Sequence, residues 1–390
     1  MKKYIFSLAV IAVSMAVFSA CEKKVDLDDP NRIGDGSPIN PFKVATVADL
    51  KRVASDEIGP GGFKWESNKH YRQVADINLN NENWNPIRGG LSTVGGATSW
   101  FKGSYDGDGY AISNLTITGE NNYVGLFGNT DGVIRNVRLS NVRVSGKQHV
   151  GCLVGFLWTG GTIEHCSVNN IEIYANSYLG GLVGSVYNNA TVHDCMVTNG
   201  TVTGTLNGTY YLIGGVVGEN VNGTIKNCYA TVDVSGQQKV GGITGHNGSN
   251  GTVQYCYATG NITSMVIEVG GIAGTNIGKI SNCVALSGQI RKTSAGHLNV
   301  NNRPVIGRIV GSNTGTISNN YARSDMALTA NAVAFTLGAE ASLAGVHGAT
   351  VYETDYYGAN SGTWWSGTAG FPASEWSFGA DKLPWLTTFE

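Results

Sequence analysis

The sequence predicts an all-β fold: a right-handed parallel β-helix, or β-solenoid, with three short strands per coil and N- and C-terminal caps. Two observations carry this. A glycine-rich phrase returns seven times, as YVGLFG at 123–128, VGCLVG at 150–155, LGGLVG at 179–184, IGGVVG at 213–218, VGGITG at 240–245, VGGIAG at 269–274 and IGRIVG at 306–311. Its closing glycines lie 27, 29, 34, 27, 29 and 37 residues apart, and self-similarity at such a period marks a solenoid. Behind each copy runs a second phrase, from GVIRNV at 132–137 to GTISNN at 315–320, then a third with alternating residues, such as VRVSG at 142–146 and IEIYA at 171–175. The hand follows from strand twist and the usual hand of parallel connections.

Taken in order, residues 1–20 open with Lys2 and Lys3, continue through an apolar run and end in small residues, as a bacterial export signal does. Phe18-Ser19-Ala20-Cys21 resembles a lipobox, which implies cleavage before Cys21 and acylation there. Glu22 after the cysteine implies the outer membrane, and Asp26, Asp28 and Asp29 suit display at the cell surface. Residues 21–40 then read as a flexible tether, polar and punctuated by Pro30, Gly34, Gly36 and Pro38.

Residues 41–100 are expected to form an N-terminal cap, because an open solenoid end would expose strand edges and core side chains. Thr46 to Asp49 resembles a capping box, with Leu50, Val53 and Ala54 as the apolar face of a short helix. The stack is assigned to 101–326, with Ile112-Ser113-Asn114-Leu115 expected in the frame of the later second phrases. In those phrases Ile163 and Cys166, three apart, cannot both face inward on a straight strand. A bend is therefore expected at the intervening Asn136, His165, Asp194, Asn227, Tyr255, Asn282 and Asn319, mostly residue types that tolerate a left-handed backbone. From 327 to 390 the rhythm fades into a segment rich in Tyr and Trp, expected to bury its rings as a C-terminal cap. Exposed, the same rings would offer a platform for sugars.

Composition narrows the function classes. A net charge of −2 leaves no basic footprint for nucleic acid. Of seven cysteines, Cys166, Cys195, Cys228, Cys256 and Cys283 share one repeat position, with no CxxC spacing for zinc, so a ladder of buried free thiols is expected. The seven histidines form no HExxH or other close pair in sequence, and no cofactor is expected. Asp106 and Asp108 in the DGDG turn could hold calcium, but they lack the glutamate that completes an EF-hand loop, and a plain turn is the expectation.

The glycine phrases, with Gly125-Leu126-Phe127-Gly128 and Gly181-Leu182-Val183-Gly184 as the core, together with the second phrases, resemble the GLUG-repeat proteins of bacterial surfaces over roughly 71–326. Cys152 and Arg308 depart from the pattern by replacing the second glycine. The resemblance implies a surface protein, since such repeats occur in adhesin-like proteins and in the non-catalytic part of some secreted metallopeptidases that cleave immunoglobulin. It does not imply peptidase activity, because the zinc motif of those enzymes is missing here.

Function is accordingly expected to be that of a lipid-anchored, non-enzymatic adhesin or ligand-binding scaffold, a monomer held to the membrane through Cys21 and recognising a glycan or a host or matrix protein. A β-helical polysaccharide lyase or glycosidase and a structural spacer for a surface complex stand as alternatives. Two insertions, 204–212 and 291–304, fall at one corner of the repeat, where binding surfaces of solenoids gather. Tyr210, Tyr211, Arg291, Lys292, His297 and Arg303 are the candidate ligand contacts there.

Overall fold

A computed structural model describes residues 33–89, 93–94, 97–98, 100–205, 211–294, 305–334 and 345–389. Among these, three parallel sheets run along the stack. Ten strands, from Phe42–Val44 through Val133–Arg135 to Thr316–Ser318, form the first sheet, the last seven of them from the second phrases. Seven, from Phe127–Thr130 to Val310–Asn313, form the second, the glycine sheet. The third holds the long strands, of which Ser167–Gly180 is 14 residues.

The glycine phrase is not one strand. Ile213–Gly214 ends the third sheet, while Val217–Asn220 begins the glycine sheet. Three glycines serve this corner for three steric reasons. A Cβ at Gly214 would lie 2.0 Å from the Val217 carbonyl oxygen, closing the turn on itself. At Gly215 it would lie 2.2 Å from the Gly242 oxygen of the next coil, and at Gly218 it would lie 2.6 Å from the Leu179 nitrogen of the preceding one. None of the three has a positive φ, so it is space that demands glycine here. Arg308 breaks the rule where the rule lapses. No further glycine phrase follows it, and its buried guanidinium donates through Nη2 to the Gly348 oxygen and Thr350 Oγ1, both at 3.1 Å.

The bend expected in the second phrase is present, with φ of 54° at Asn136, 52° at His165, 53° at Asp194, 50° at Asn227, 53° at Tyr255, 55° at Asn282 and 51° at Asn319. Each bend interrupts the regular ladder, and at five of the seven the cysteine after it supplies replacement bonds. Cys228 Sγ donates to the Lys226 oxygen (3.1 Å), and the Cys256 sulfur accepts from the Cys228 N–H (3.4 Å). Asn320 does the same with an amide, its Oδ1 taking the Cys283 N–H at 2.9 Å. All five ladder thiols are free and buried, and burial pushes those of Cys195, Cys228 and Cys256 far above their ordinary range. A second internal ladder, unforeseen from the sequence, stacks Asn220, Asn247, Asn276 and Asn313 amide to amide at 2.7–2.8 Å.

Packing outweighs any single bond. An inward aliphatic such as Ile225, Val234 or Val240 contributes about 1.5–3 kcal/mol relative to exposure, against about 1 kcal/mol net for a hydrogen bond.

At the start of the stack the helix Val47–Arg52 forms as expected, with Asp49 N–H donating to Thr46 Oγ1 (3.1 Å) and Thr46 N–H to Asp49 Oδ2 (3.1 Å). The segment 41–100 also adds two rungs of its own to the ten-stranded sheet, Phe42–Val44 and His70–Gln73. The frame expected for 112–115 is corrected. Ile112 pairs with Leu139, and it is Tyr105 that pairs with Ile134. The apolar-x-Asn-apolar pattern recurs at a second bend of the early coils, where Asn141 and Asn170 also have positive φ, so the pattern alone does not identify the strand.

The C-terminal aromatics are buried, but along the flank of the solenoid. Trp365, Phe371 and Trp376 pack against Tyr229, Tyr257, Val284 and Leu286 of successive coils. The Tyr257 hydroxyl donates to the Pro384 oxygen (2.9 Å), and the Arg138 guanidinium lies 5.9 Å from the Phe389 ring centroid, so the segment runs back towards the early coils. Among the segment's described large rings, Tyr352 and Tyr357 alone are strongly exposed.

Candidate functional site

The residue two places before the first glycine of each phrase stands at the edge of the third sheet. In the first three copies it is Tyr123, His149 and Tyr178, each left-handed, with φ of 59°, 53° and 51°. Bulky residues adopt this conformation at a cost of order 1–3 kcal/mol when held there. Their rings stack face to face across coils, Tyr123 on His149 at 5.0 Å and His149 on Tyr178 at 4.3 Å. Burial pushes the His149 pKa down to about 4, so the ring is neutral at physiological pH and packs as a third aromatic. Its Nδ1 is 2.8 Å from Ser185 Oγ.

The glycine sheet extends the surface. Phe156 meets the edges of Tyr123 and His149 and lies 4.3 Å from Trp158, which stacks on Trp100 at 4.9 Å. Tyr187 closes the group at 4.7 Å from Phe156, its hydroxyl donating to Glu219 Oε2 at 3.0 Å. Burial holds the Glu219 carboxyl above its ordinary range despite that bond. The result is a continuous aromatic ridge, its rings partly exposed over a buried Phe156, with Lys102 and Glu219 at its rim.

The row continues past the rings. Register pairs Leu179 with Ile213, Ile213 with Val240, Val240 with Val269 and Val269 with Ile306. Leu212, Lys239, Glu268 and Val305 therefore follow Tyr178 in one column. Leu212 and Val305 are the returning ends of the two insertions, so the first rejoins the stack next to the last ring, Tyr178, and the second rejoins the same column three stacking steps further on.

The predicted contact residues fare unequally. Tyr211 is 8% exposed and Lys292 1%, with Lys292 Nζ donating to the Ser294 oxygen at 2.7 Å, so neither presents a free side chain to a ligand. Arg291 is exposed on the strand Gln289–Lys292. Cys21, Tyr210, His297 and Arg303 lie outside the described residues. Asp106 and Asp108 of the DGDG turn are engaged by Arg135 Nε (2.9 Å), Asn136 Nδ2 (2.9 Å) and Arg72 Nη2 (2.8 Å), which accords with a plain turn. Elsewhere a polar groove of about 580 Å³ lies between Asn81, Asn141, Arg143, Asn170 and Glu172. The ridge was open to detection: aligning the repeats two residues further back puts Tyr123, His149 and Tyr178 in register.

Fold and ridge together define a β-solenoid with an aromatic face. The GLUG motif family matches residues 175–203, 209–235 and 236–263. These stretches of the chain carry GLUG repeats. The chain is 30% identical over 258 residues, 63% of its length, to halomucin of Haloquadratum walsbyi, and 32% identical over 128 residues to a "Putative Gly-rich membrane protein" of Evansella cellulosilytica. The matches span 2% and 14% of those proteins. Among solved structures it is similar to "a putative immunoglobulin A1 protease from Bacteroides ovatus", at 22% identity and a TM-score of 0.61 over 92% of this chain and 95% of that one. At that identity the likeness shows the fold. GLUG repeats on a β-helix fit a surface protein.

Proposed function

We propose that this chain is a lipid-anchored surface protein that binds an extended glycan along the aromatic ridge, without turning it over. The observation that carries the reading is the stacked row Tyr123, His149 and Tyr178 beside Phe156, Trp158 and Tyr187. All but the buried Phe156 are rings held partly exposed, three of them in a backbone conformation that asparagine or glycine would adopt more cheaply. Sugar rings present apolar faces with a polar rim, which suits such a surface edged by Lys102 and Glu219. The long loops that rejoin the same column would supply further contacts. The outer leaflet of the outer membrane, with attachment through Cys21, completes the proposal.

A glycan and matrix-protein array tests it. Trp158→Ala and Tyr178→Ala should each weaken glycan binding by about two- to tenfold, in line with the 0.5–1.5 kcal/mol of an aromatic contact. Array binding confined to proteins, or undiminished in both variants, would move the site off the ridge. Incubation of the chain with the bound glycan, and with immunoglobulin A1 because of the structural neighbour's name, should release no product. Robust turnover of either would replace the binding reading with a catalytic one.

A further inference from the structure

On the flank covered by the C-terminal segment, two histidines and three carboxylates converge. His165 and Asp194 occupy the left-handed bend of consecutive coils, and Glu375 arrives from a turn of the C-terminal segment 181 residues beyond Asp194. One ligand atom from each of His165, Asp194 and Glu375 lies within 4.8 Å of the others. We propose that these three residues form a site for a divalent transition-metal ion, with zinc the ion their chemistry suits, and that the ion pins the C-terminal segment to the solenoid.

Geometry favours an ion over direct bonding. His165 Nε2 and Asp194 Oδ2 are 3.7 Å apart, too far for a hydrogen bond. Two atoms bound tetrahedrally at about 2.0–2.1 Å from zinc stand about 3.3 Å apart, so the His165–Asp194 pair is near chelating distance and the Glu375 carboxylate, within 4.8 Å, would swing inward to complete the set. One imidazole and two carboxylates leave a fourth position for water. The imidazole nitrogen argues against calcium, which takes oxygen ligands.

A supporting shell is already in place. His193 Nδ1 lies 2.6 Å from Asp194 Oδ2, with its Nε2 3.3 Å from Glu164, and Asn227 Nδ2 donates to Asp194 Oδ1 at 2.8 Å. Asn227 is fixed in turn by the Trp376 indole N–H at 3.4 Å, from the residue next to Glu375. The Thr387 N–H (3.1 Å) and hydroxyl (3.2 Å) both donate to the Glu375 carbonyl and hold that turn. Glu164, Asp194 and Glu375 together leave negative charge in excess of what His165 and His193 can balance.

Titration of the full chain with zinc chloride alone, followed by calorimetry, should show a single ion bound, and zinc should raise the melting temperature. His165→Ala and Glu375→Gln should each weaken zinc binding by at least about tenfold and abolish the thermal shift. Glu375 lies on the surface turn, so Glu375→Gln without metal should melt as wild type does, separating lost ligation from lost folding. Cobalt in place of zinc should give a visible absorption band that Glu375→Gln removes. Failure of the wild-type chain to bind zinc, tight binding that survives both substitutions, or preference for calcium would each overturn the proposal.

Discussion

Cys228 shows how much a single position does in this chain. Its thiol fills the inner wall, donates to the carbonyl before the bend and stands level with a neighbour whose sulfur accepts its own N–H. Cysteine suits the place because it is small, apolar and still able to donate and accept weakly. Cys228→Ala should therefore destabilise by about 1–3 kcal/mol, the cost of leaving buried backbone groups unpaired, whereas Cys228→Ser keeps a donor and should lose less. Urea unfolding of the two variants checks the order. Gly218→Ala should be harsher than a cavity-free surface change, because its Cβ would meet main chain of the neighbouring coil, which cannot swing aside; a loss of about 1–3 kcal/mol or more is expected in the same assay.

At the scale of the element, the stacked ring column ties the edge of the third sheet to pH. The folded-state pKa of His149, like that of His246, is near 4, below the ordinary value of 6.5. The unfolded chain thus takes up more protons between those values, and the stability these two residues give at neutral pH is lost as pH falls from about 6.5 through 4. His193 acts in the opposite sense. Its hydrogen bond to Asp194 raises its pKa despite burial, so its contribution is full below 6.5 and fades as pH rises past the folded value. Melting temperatures measured from neutral pH down to about 4 should fall, and His149→Phe, which keeps a ring in the stack, should flatten that fall. An unchanged slope would mean that His149 is not buried neutral as described.

For the whole molecule, stability is a sum over coils and their neighbours, so the corner loops can change without disturbing the stack. Shortening 206–210 and 293–302 to the length of adjacent copies should leave the melting temperature nearly unchanged while weakening binding to whichever glycan the ridge selects. Fractionation addresses the membrane claim: Cys21→Ala should shift the protein from the membrane to the soluble fraction, and continued membrane attachment would refute lipidation at that residue.

Periodic features were legible in the sequence because each coil repeats the same local contacts. The three-sheet stack, the left-handed bends at Asn136 through Asn319 and the buried cysteine ladder all follow from residue types recurring at one place in the repeat. The splitting of the glycine phrase between two sheets was not legible, since which carbonyl each missing Cβ would strike depends on how the chain closes its corner. Nor was the position of the C-terminal aromatics. Their composition dictates burial, but an apolar segment can bury itself over an end or along a flank, and only the exposed faces of Tyr229 and Tyr257 in adjacent coils decide for the flank. The approach of Glu375 to His165 and Asp194 follows from that docking and has no period to betray it. Sequence by itself determined what repeats; tertiary structure decided what meets once, because a single contact between distant segments rests on the shape of surfaces that exist only after the coils have stacked.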